Sequence, residues 1–210
     1  MIIGTGMLAR AMPDLPGVVI HAAGVSNSQC DDESEYQRDI GRLTHTLSTS
    51  EGLLVYFSTV GDSPGRYLEH KRTCEALVRH RESFLIIRLP VVAGRSPNPH
   101  TLLNYLHARI ARGECFDLWT RATRHVIDVL TIARFVRTSA MQAHQWQQAH
   151  QRSTREAPAS GPYGIREIVA AFEKHLGKQA VYREVHKGEP SQAINGGADE
   201  LLSMIQRNYW

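Results

Sequence analysis

Tyr67 and Lys71 are the residues whose types and spacing point most directly to chemistry. Residues four apart lie on one face of a helix, and the stretch from Tyr67 to Arg79 has helical spacing. An ammonium beside a phenol stabilises the phenolate and lowers its pKa, which suits a residue that gives or takes a proton as hydride moves. Such a pair arises by chance in roughly one chain in ten, so its position must add to its meaning.

That position follows a predicted strand that ends in two hydroxyl residues, Ser58 and Thr59. Ligands of open α/β sheets bind at the carboxyl ends of parallel strands. A hydroxyl there can donate a hydrogen bond to a substrate carbonyl and polarise it for hydride attack. The alternative is that these hydroxyls only cap the following turn.

A glycine-rich turn directly follows the first apolar residues. Gly4 permits a tight turn, Gly6 removes the side chain where a pyrophosphate would approach the backbone, and Ala9 keeps the next helix close to the sheet. The candidate phosphate-binding residues are Gly4, Thr5, Gly6, Met7, Leu8 and Ala9. A turn without a ligand is the alternative, because the acidic residue that usually meets the ribose is missing.

Five short apolar runs, separated by stretches with helical spacing, predict alternating strands and helices around a parallel sheet. The runs are Met1–Ile3, Val18–Ala22, Leu53–Ser58, Phe84–Leu89 and His125–Val129. Only 14 residues separate Ile3 from Val18, which leaves room for one short crossover. We therefore predict a Rossmann-like α/β fold with a mostly parallel sheet that lacks the usual second and third strands. Met1–Ile3 should lie at or near one edge.

The C-terminal third predicts further elements. The polar stretch from His144 to Ser160 is either a linker or a weak strand, whereas Ile165–Leu176 has the pattern of an amphipathic helix and Tyr182–Val185 that of a short strand. We expect a Rossmann-like NAD(P)-binding domain over residues 1–140 and a small substrate-side region, not an independent domain, over residues 141–210.

Composition excludes several classes of protein. The chain has 210 residues, 42% of them hydrophobic and 21% charged, as in a soluble α/β domain. The net charge of +3 and the dispersed arginines predict no nucleic-acid partner. Cys30, Cys74 and Cys115 form no CxxC pair and the histidines are scattered, so no metal site is predicted. No apolar run approaches the length of a membrane span and no signal peptide is evident, so we expect a cytoplasmic protein.

Taken in order, these segments resemble the extended short-chain dehydrogenase/reductase family, the group that contains nucleotide-sugar epimerases, dehydratases and ketoreductases. The resemblance extends through most of the chain. It rests on six segments, namely Val18–Gly24 (VVIHAAG), Tyr56–Thr59 (YFST), Tyr67 with Lys71, Arg88–Gly94 (RLPVVAG), Arg124–Val129 (RHVIDV) and Tyr163–Ile168 (YGIREI).

The resemblance implies an NAD- or NADP-dependent enzyme that acts on a nucleotide-activated sugar, with a homodimer as the expected assembly. Tyr67 would be the proton donor or acceptor, Lys71 would hold the nicotinamide ribose and tune Tyr67, and Thr59 would polarise the substrate oxygen, with Ser58 as the second choice. Beyond the glycine turn, it implies cofactor contacts from Ala22, Ala23, Gly24 and Pro90. It implies substrate contacts from Arg124 and Asn98.

Some segments depart from the family pattern. Only seven residues separate Thr59 from Tyr67, where the family has a longer loop, and Val60-Gly61 replaces the Asp-Glu pair of the dehydratases. Dehydration is therefore disfavoured, and a ketoreductase is slightly preferred to an epimerase. The alternative is a catalytically degenerate dinucleotide-binding protein with a regulatory or scaffold role. A hydrolase is disfavoured because the sequence contains no GxSxG segment.

Overall fold

The computed structural model describes residues 1–61, 64–145, 152–188 and 197–210. Within these ranges strands and helices alternate along most of the chain. In order they are β1 (Ile2–Ile3), α1 (Met7–Ala11), β2 (Val18–His21), α2 (Glu33–Thr49), β3 (Leu53–Thr59), α3 (Arg66–Val78), β4 (Phe84–Leu89), β5 (Val91–Ala93), α4 (Leu102–Arg112), β6 (Phe116–Trp119), β7 (Thr123–Asp128), α5 (Val129–Gln145), β8 (Arg152–Glu156), β9 (Ser160–Gly164), α6 (Ile165–Leu176), β10 (Tyr182–Val185) and α7 (Ala198–Asn208).

Five of these strands form a wholly parallel sheet in the order β1-β2-β3-β4-β8. Strands β2, β3 and β4 are apolar without alternation because both of their faces are covered, and their interior side chains are buried. The two-residue β1 lies at one edge, joined to β2 by a crossover that contains only the five-residue α1. The predicted Rossmann-like α/β fold, its parallel sheet and the edge position of β1 are confirmed.

The other edge is formed by the polar segment that the sequence left open as a linker or a weak strand. Within that stretch Arg152–Glu156 is a strand, β8, whose side chains alternate between exposed and half-buried, and residues 146–151 lie outside the described ranges. The Arg152 guanidinium carbon lies 5.5 Å above the Phe84 ring centroid, and Arg152 also donates a hydrogen bond to the Arg79 carbonyl (2.7 Å). The apolar pattern of β8 is weak because it is an edge strand with one face exposed and the other only half-buried.

The run predicted as His125–Val129 is also a strand, but it belongs to a different sheet. As β7 it pairs in parallel with β5 and antiparallel with β9, while β6 pairs with β10. Val126 and Ile127 are consecutive and both buried, so the sequence pattern resembles that of the parallel strands and did not separate the two sheets.

The chain divides into two compact units, and both are discontinuous. One contains residues Met1–Leu89 and Val129–Ala157, and the other contains Pro90–Asp128 and Pro158–Trp210. The division differs from the predicted boundary at residue 140. The reason is that β7 hydrogen-bonds with both β5 and β9, which assigns residues 90–128 to the same unit as the C-terminal segment.

Each unit has its own apolar core. In the first unit, Leu43, Leu54, Tyr56, Val78 and Ile86 are central members. In the second, α4, α6 and α7 contribute fully buried side chains that include Leu103, Ile168, Phe172 and Ile205. No helix within the described ranges is both long enough and apolar enough to span a bilayer.

Candidate active site

The glycine turn after β1 packs directly against the end of β2. Gly4 has a φ of +125°, and a Cβ built on it would lie 2.6 Å from the Ala22 carbonyl oxygen and 2.9 Å from the Ala23 nitrogen. Because that conformation and that approach exclude any side chain, only glycine fits. The Ala22 amide donates to the Ile3 carbonyl at 2.8 Å. Three of the predicted cofactor residues, Gly4, Ala22 and Ala23, are thus brought together at the carboxyl edge of the sheet.

Gly6 stands at the start of α1 and has a different environment. Its backbone is extended, with φ of −75°, and no atom lies within 4 Å of the place a Cβ would occupy. Gly6 therefore differs from Gly4 in having open space beside its backbone and a conformation that any residue could adopt. Ala9, the last residue of the predicted turn, is buried, whereas Thr5 is exposed and Met7 and Leu8 are half-buried.

The β2–α2 loop also contains a residue in the left-handed region, Gly24. Its φ is +134°, and a Cβ there would lie 3.0 Å from a carboxylate oxygen of Asp39. The next residue, Val25, donates its amide to Asp39 Oδ2 at 3.1 Å. A carboxylate from α2 therefore holds the predicted cofactor loop.

Ser58, one of the two candidate hydroxyls, is buried and hydrogen-bonded. Its Oγ donates to Glu75 Oε1 at 2.7 Å and accepts from Arg72 Nη1 at 3.3 Å. Glu75 is itself fully buried and accepts two hydrogen bonds from the Arg88 guanidinium, at 2.9 and 2.7 Å. Arg72 and Arg79 also contact this carboxylate. Ser58 thus belongs to a cluster that joins α3 to β3 and β4.

Glu75 stays ionised inside this cluster. Burial by itself raises the pKa of the carboxyl group, but hydrogen bonds from Arg88 and Ser58 and the charges of Arg72 and Arg88 outweigh it and lower the pKa to about 2. The bidentate Arg88 contact is the strongest geometry available to such a pair. This cluster fixes the helix that carries Tyr67 and Lys71.

Thr59, the other candidate hydroxyl, lies at the last position of β3 and is half-buried. Its Oγ1 makes no hydrogen bond with any residue of the described ranges. Thr59 pairs in register with Leu89 at the end of β4. Of the two hydroxyls, the one from Thr59 is therefore available to a ligand, and the one from Ser58 is already engaged.

Tyr67 and Lys71 lie one turn apart near the start of α3. The Lys71 ammonium is 5.7 Å from the centroid of the Tyr67 ring and 5.7 Å from that of Tyr56. Lys71 is only 5% exposed, and Tyr67 is half-buried. The predicted pair therefore shares one face of a helix, with the ammonium directed at aromatic rings.

The charge state of the pair corrects the expectation from sequence. Burial, assisted by the negative charge of Asp39, raises the pKa of Tyr67 to about 12, where the spacing alone predicted a lowered value. Burial lowers the pKa of Lys71, while Asp39 and Cys74 oppose that shift. The reason is that desolvation and a carboxylate from another helix dominate over the lysine. Tyr67 is accordingly a phenol at neutral pH.

Sequence reasoning missed a cluster of polar side chains buried behind this pair. His70 Nε2 lies 2.8 Å from Asp39 Oδ2 and 3.6 Å from Cys74 Sγ, and all three residues are buried. The periodicity of the helices could have revealed it. Asp39 falls within the same stripe of α2 as the buried Tyr36 and Leu43, and His70 and Cys74 fall in line with Val78 of α3.

The remaining predicted residues belong to the second unit. Arg124, in β7, donates from Nη1 to the Thr123 carbonyl at 2.7 Å, and burial lowers the pKa of its guanidinium. The Asn98 side-chain oxygen accepts from the His100 amide at 2.9 Å, which forms a local turn before α4. Pro90 is half-buried, immediately before β5.

Comparison with known proteins adds to this description. No protein-family model and no curated protein sequence matches the chain. Solved structures do match. The UDP-glucose 4-epimerase of Thermus thermophilus, in complex with NAD, is 16% identical, with a TM-score of 0.60 over 90% of this chain and 71% of that chain.

Two other epimerase structures give similar agreement. The UDP-glucuronic acid 4-epimerase of Bacillus cereus, with UDP-glucuronic acid and NAD, is 18% identical, with a TM-score of 0.63 over 90% of this chain and 69% of that one. The UDP-N-acetylglucosamine 4-epimerase of Methanobrevibacter ruminantium is 14% identical, with a TM-score of 0.68 over 91% and 74%. The chain thus has the Rossmann-like fold of these epimerases and is shorter than they are.

Proposed function

We propose that this protein is an NAD(P)-dependent oxidoreductase or epimerase that acts on a nucleotide-activated sugar, with a slight preference for a ketoreductase. The proposal rests on three features that occur together in the first unit, which contains Met1–Leu89 and Val129–Ala157. A glycine turn packed against the end of β2 stands at the carboxyl edge of the parallel sheet. The same unit presents the unengaged hydroxyl of Thr59 and the Tyr67–Lys71 pair.

The residues of the turn fit a dinucleotide. The open space at Gly6 admits a phosphate next to the backbone, and Gly4 keeps the turn tight enough to leave that space. Ala22, Ala23 and Gly24 follow β2 and have no bulky side chain to block a ribose or diphosphate, and Pro90 follows β4. When bound, the nicotinamide would supply or accept the hydride.

Tyr67 would donate the proton to the substrate oxygen. A phenol whose pKa is raised to about 12 is a weak base and keeps its proton at neutral pH. This protonation state favours reduction of a ketone, in which an alkoxide forms and must be protonated. Thr59 would donate a hydrogen bond to the same oxygen and polarise the carbonyl, while Lys71 would meet the nicotinamide ribose.

The substrate assignment rests on the second unit and on the fold. Solved structures with this fold contain UDP-glucuronic acid with NAD. We assign the substrate phosphate to Arg124, because a desolvated guanidinium binds an anion more strongly than a hydrated one does. Asn98 is the second substrate contact. A cytoplasmic homodimer completes the proposal.

Cofactor titration and one substitution test it. Purified protein should bind NADH or NADPH with a Kd below the millimolar range, as measured by nicotinamide fluorescence. Tyr67→Phe should abolish turnover of a UDP-keto-sugar and leave that Kd nearly unchanged. Tyr105→Phe, a half-buried tyrosine of the second unit, is the matched control. Unchanged turnover in Tyr67→Phe would contradict the role of Tyr67.

A second candidate is a dinucleotide-binding protein without catalysis. It is favoured by one observation, the burial of Lys71, which is 5% exposed and faces aromatic rings. Such a protein would bind NADH yet turn over no UDP-sugar, and Tyr67→Phe would change nothing measurable. Binding without turnover across UDP-, dTDP- and GDP-sugars would select this candidate.

A further inference from the structure

Three side chains of different chemistry converge in the interior of the first unit. Asp39 comes from α2, and His70 and Cys74 come from α3. A carboxylate oxygen, an imidazole nitrogen and a thiol sulfur, one from each residue, all lie within 4.8 Å of one another. Carboxylate, imidazole and thiolate are the donor types that zinc takes in proteins.

The helices bring these donors together for simple reasons. His70 and Cys74 are four residues apart, so both project from one face of α3. Asp39 projects from the buried stripe of α2, which packs against α3. Both the Asp39 carboxylate and the Cys74 sulfur approach the same ring nitrogen of His70, at 2.8 and 3.6 Å. A single N–H can serve only one of them.

A second observation concerns polar atoms around the three donors. Asp39 Oδ1, His70 Nδ1 and the hydroxyl of Tyr56 are buried, and none of them has a hydrogen-bond partner within the described part of the chain. Tyr56 is 1% exposed and packs in the same buried cluster as Cys74. Unpartnered buried polar groups are costly. A cation could satisfy Asp39 Oδ1 or the Tyr56 hydroxyl, whereas His70 Nδ1 lies on the other side of the ring from the Nε2 that faces Asp39 and Cys74.

We propose that Asp39, His70 and Cys74 hold a divalent cation of the zinc class between α2 and α3. Nitrogen and sulfur ligands of one tetrahedral zinc ion lie about 3.5 Å apart, and nitrogen and oxygen ligands about 3.3 Å. The distance of 3.6 Å between His70 Nε2 and Cys74 Sγ already matches. The distance of 2.8 Å between His70 Nε2 and Asp39 Oδ2 would lengthen by roughly half an ångström. The Tyr56 hydroxyl or a water would complete the coordination.

Binding exchanges one proton for the cation. The thiol of Cys74 loses one proton to solvent as its sulfur bonds to the metal, and no electron is transferred. The two positive charges of the cation then meet one thiolate and one carboxylate, with His70 neutral. Thiolate and imidazole select zinc, and its spectroscopic substitute Co²⁺, over magnesium and calcium. None of the three ligands is a residue assigned to the proposed reaction, but Asp39 also accepts the Val25 amide of the predicted cofactor loop.

Cobalt binding to a variant with a single thiol tests the site. Cys115 is exposed and Cys30 is half-buried, so the double variant Cys30→Ser/Cys115→Ser should fold as the parent does. Titrated with CoCl₂, it should develop a thiolate-to-cobalt band in the near ultraviolet and tetrahedral d–d bands in the visible, saturating at one equivalent. ZnCl₂ should abolish these bands. A folded double variant without them would overturn the proposal.

A second variant assigns the sulfur. In the full chain, Cys74→Ala should lose the cobalt bands and at least tenfold in zinc affinity, measured with a competing chromophoric chelator, and its circular dichroism should match the parent. Bands that persist in this variant would also overturn the proposal. Chelation should lower the melting temperature of the parent and leave that of Cys74→Ala unchanged. NADH binding is measured separately, so failure of the metal site and failure of the proposed function are distinguished.

Discussion

Glu75 shows how much of this fold depends on one carboxylate. It is fully buried and engages Ser58, Arg72, Arg79 and Arg88 at once. Glu75→Gln should lower the free energy of unfolding by about 3 kcal/mol, since it leaves buried groups without their charged partner. Urea denaturation measures this. Glu51→Gln, at an exposed position, should stay within about 0.5 kcal/mol of the parent, and equal losses in both variants would refute the special role of Glu75.

His21 predicts how stability depends on pH. It is fully buried, and burial lowers the pKa of its imidazole to about 4, with Lys71 and Arg42 acting in the same direction and Asp39 against it. The unfolded chain takes up the proton first, near pH 6.5. Stability is therefore complete above pH 6.5 and falls by about 3 kcal/mol as the pH decreases towards 4.

The matched variant for this residue is His21→Asn, which keeps a polar atom near Thr46, the hydrogen-bond partner of His21 Nδ1 at 3.0 Å. Its free energy of unfolding, measured by urea titration at several pH values, should show a flatter profile between pH 6.5 and 4. Identical slopes in the two proteins would exclude His21 as the titrating group.

For single residues, the sequence predicts which side chains lie together better than it predicts their pKa values. The spacing places Tyr67 and Lys71 on one face of a helix, and the structure confirms that arrangement. The direction of the pKa shift of Tyr67 is opposite to the prediction, because burial desolvates the phenol and the charge of Asp39, 28 positions earlier in the chain, adds to that effect. Local spacing has no information on which distant charge will face a given phenol.

Among the elements, the turn between β1 and α1 gives the clearest prediction for cofactor binding. Gly6→Ala should fold normally, because the backbone is extended and the place of the new Cβ is open. If a pyrophosphate binds there, the same methyl group occupies its position. We expect a loss of at least tenfold in NADH affinity, measured by fluorescence titration.

Gly41→Ala is the control for this substitution. Gly41 lies in the exposed face of α2, with open space around its Cβ position. Alanine there should stabilise the helix by about 0.5–1 kcal/mol and leave NADH binding unchanged. If Gly6→Ala and Gly41→Ala bind NADH with equal affinity, the cofactor phosphate does not bind at the glycine turn.

The elements themselves were predictable where burial is two-sided. Phe84–Leu89 forms a strand with the predicted bounds because its unbroken apolar run fits only a strand covered on both faces. Gly113 and Gly177 end α4 and α6 in the left-handed conformation that glycine adopts readily. The sequence of the edge strand β8 did not distinguish a strand from a linker, because its side chains are half-buried on one face and exposed on the other.

In the whole molecule, the boundaries of the two units are set by pairings between strands far apart in the sequence, which local sequence patterns do not predict. Strand β9 returns to β7 across 31 intervening residues, and β8 returns to β4 across 62. Each pairing places a C-terminal strand in the same unit as a strand from earlier in the chain. A boundary at residue 140 follows from composition along the chain, whereas the pairing order produces two interleaved units.

A fragment ending at residue 140 therefore tests the architecture. It would lack β8, which pairs with β4, and it would lack β9, α6 and α7, which supply buried side chains such as Tyr163, Ile168, Phe172 and Ile205 to the core of the second unit. The first unit would then lose an edge strand, and the second would lose a large part of its core. We expect fragment 1–140 to show no cooperative thermal transition by circular dichroism and to be digested rapidly by trypsin, while the full chain melts cooperatively. A fragment that melts as sharply as the full chain would show that the first 140 residues fold as an independent domain.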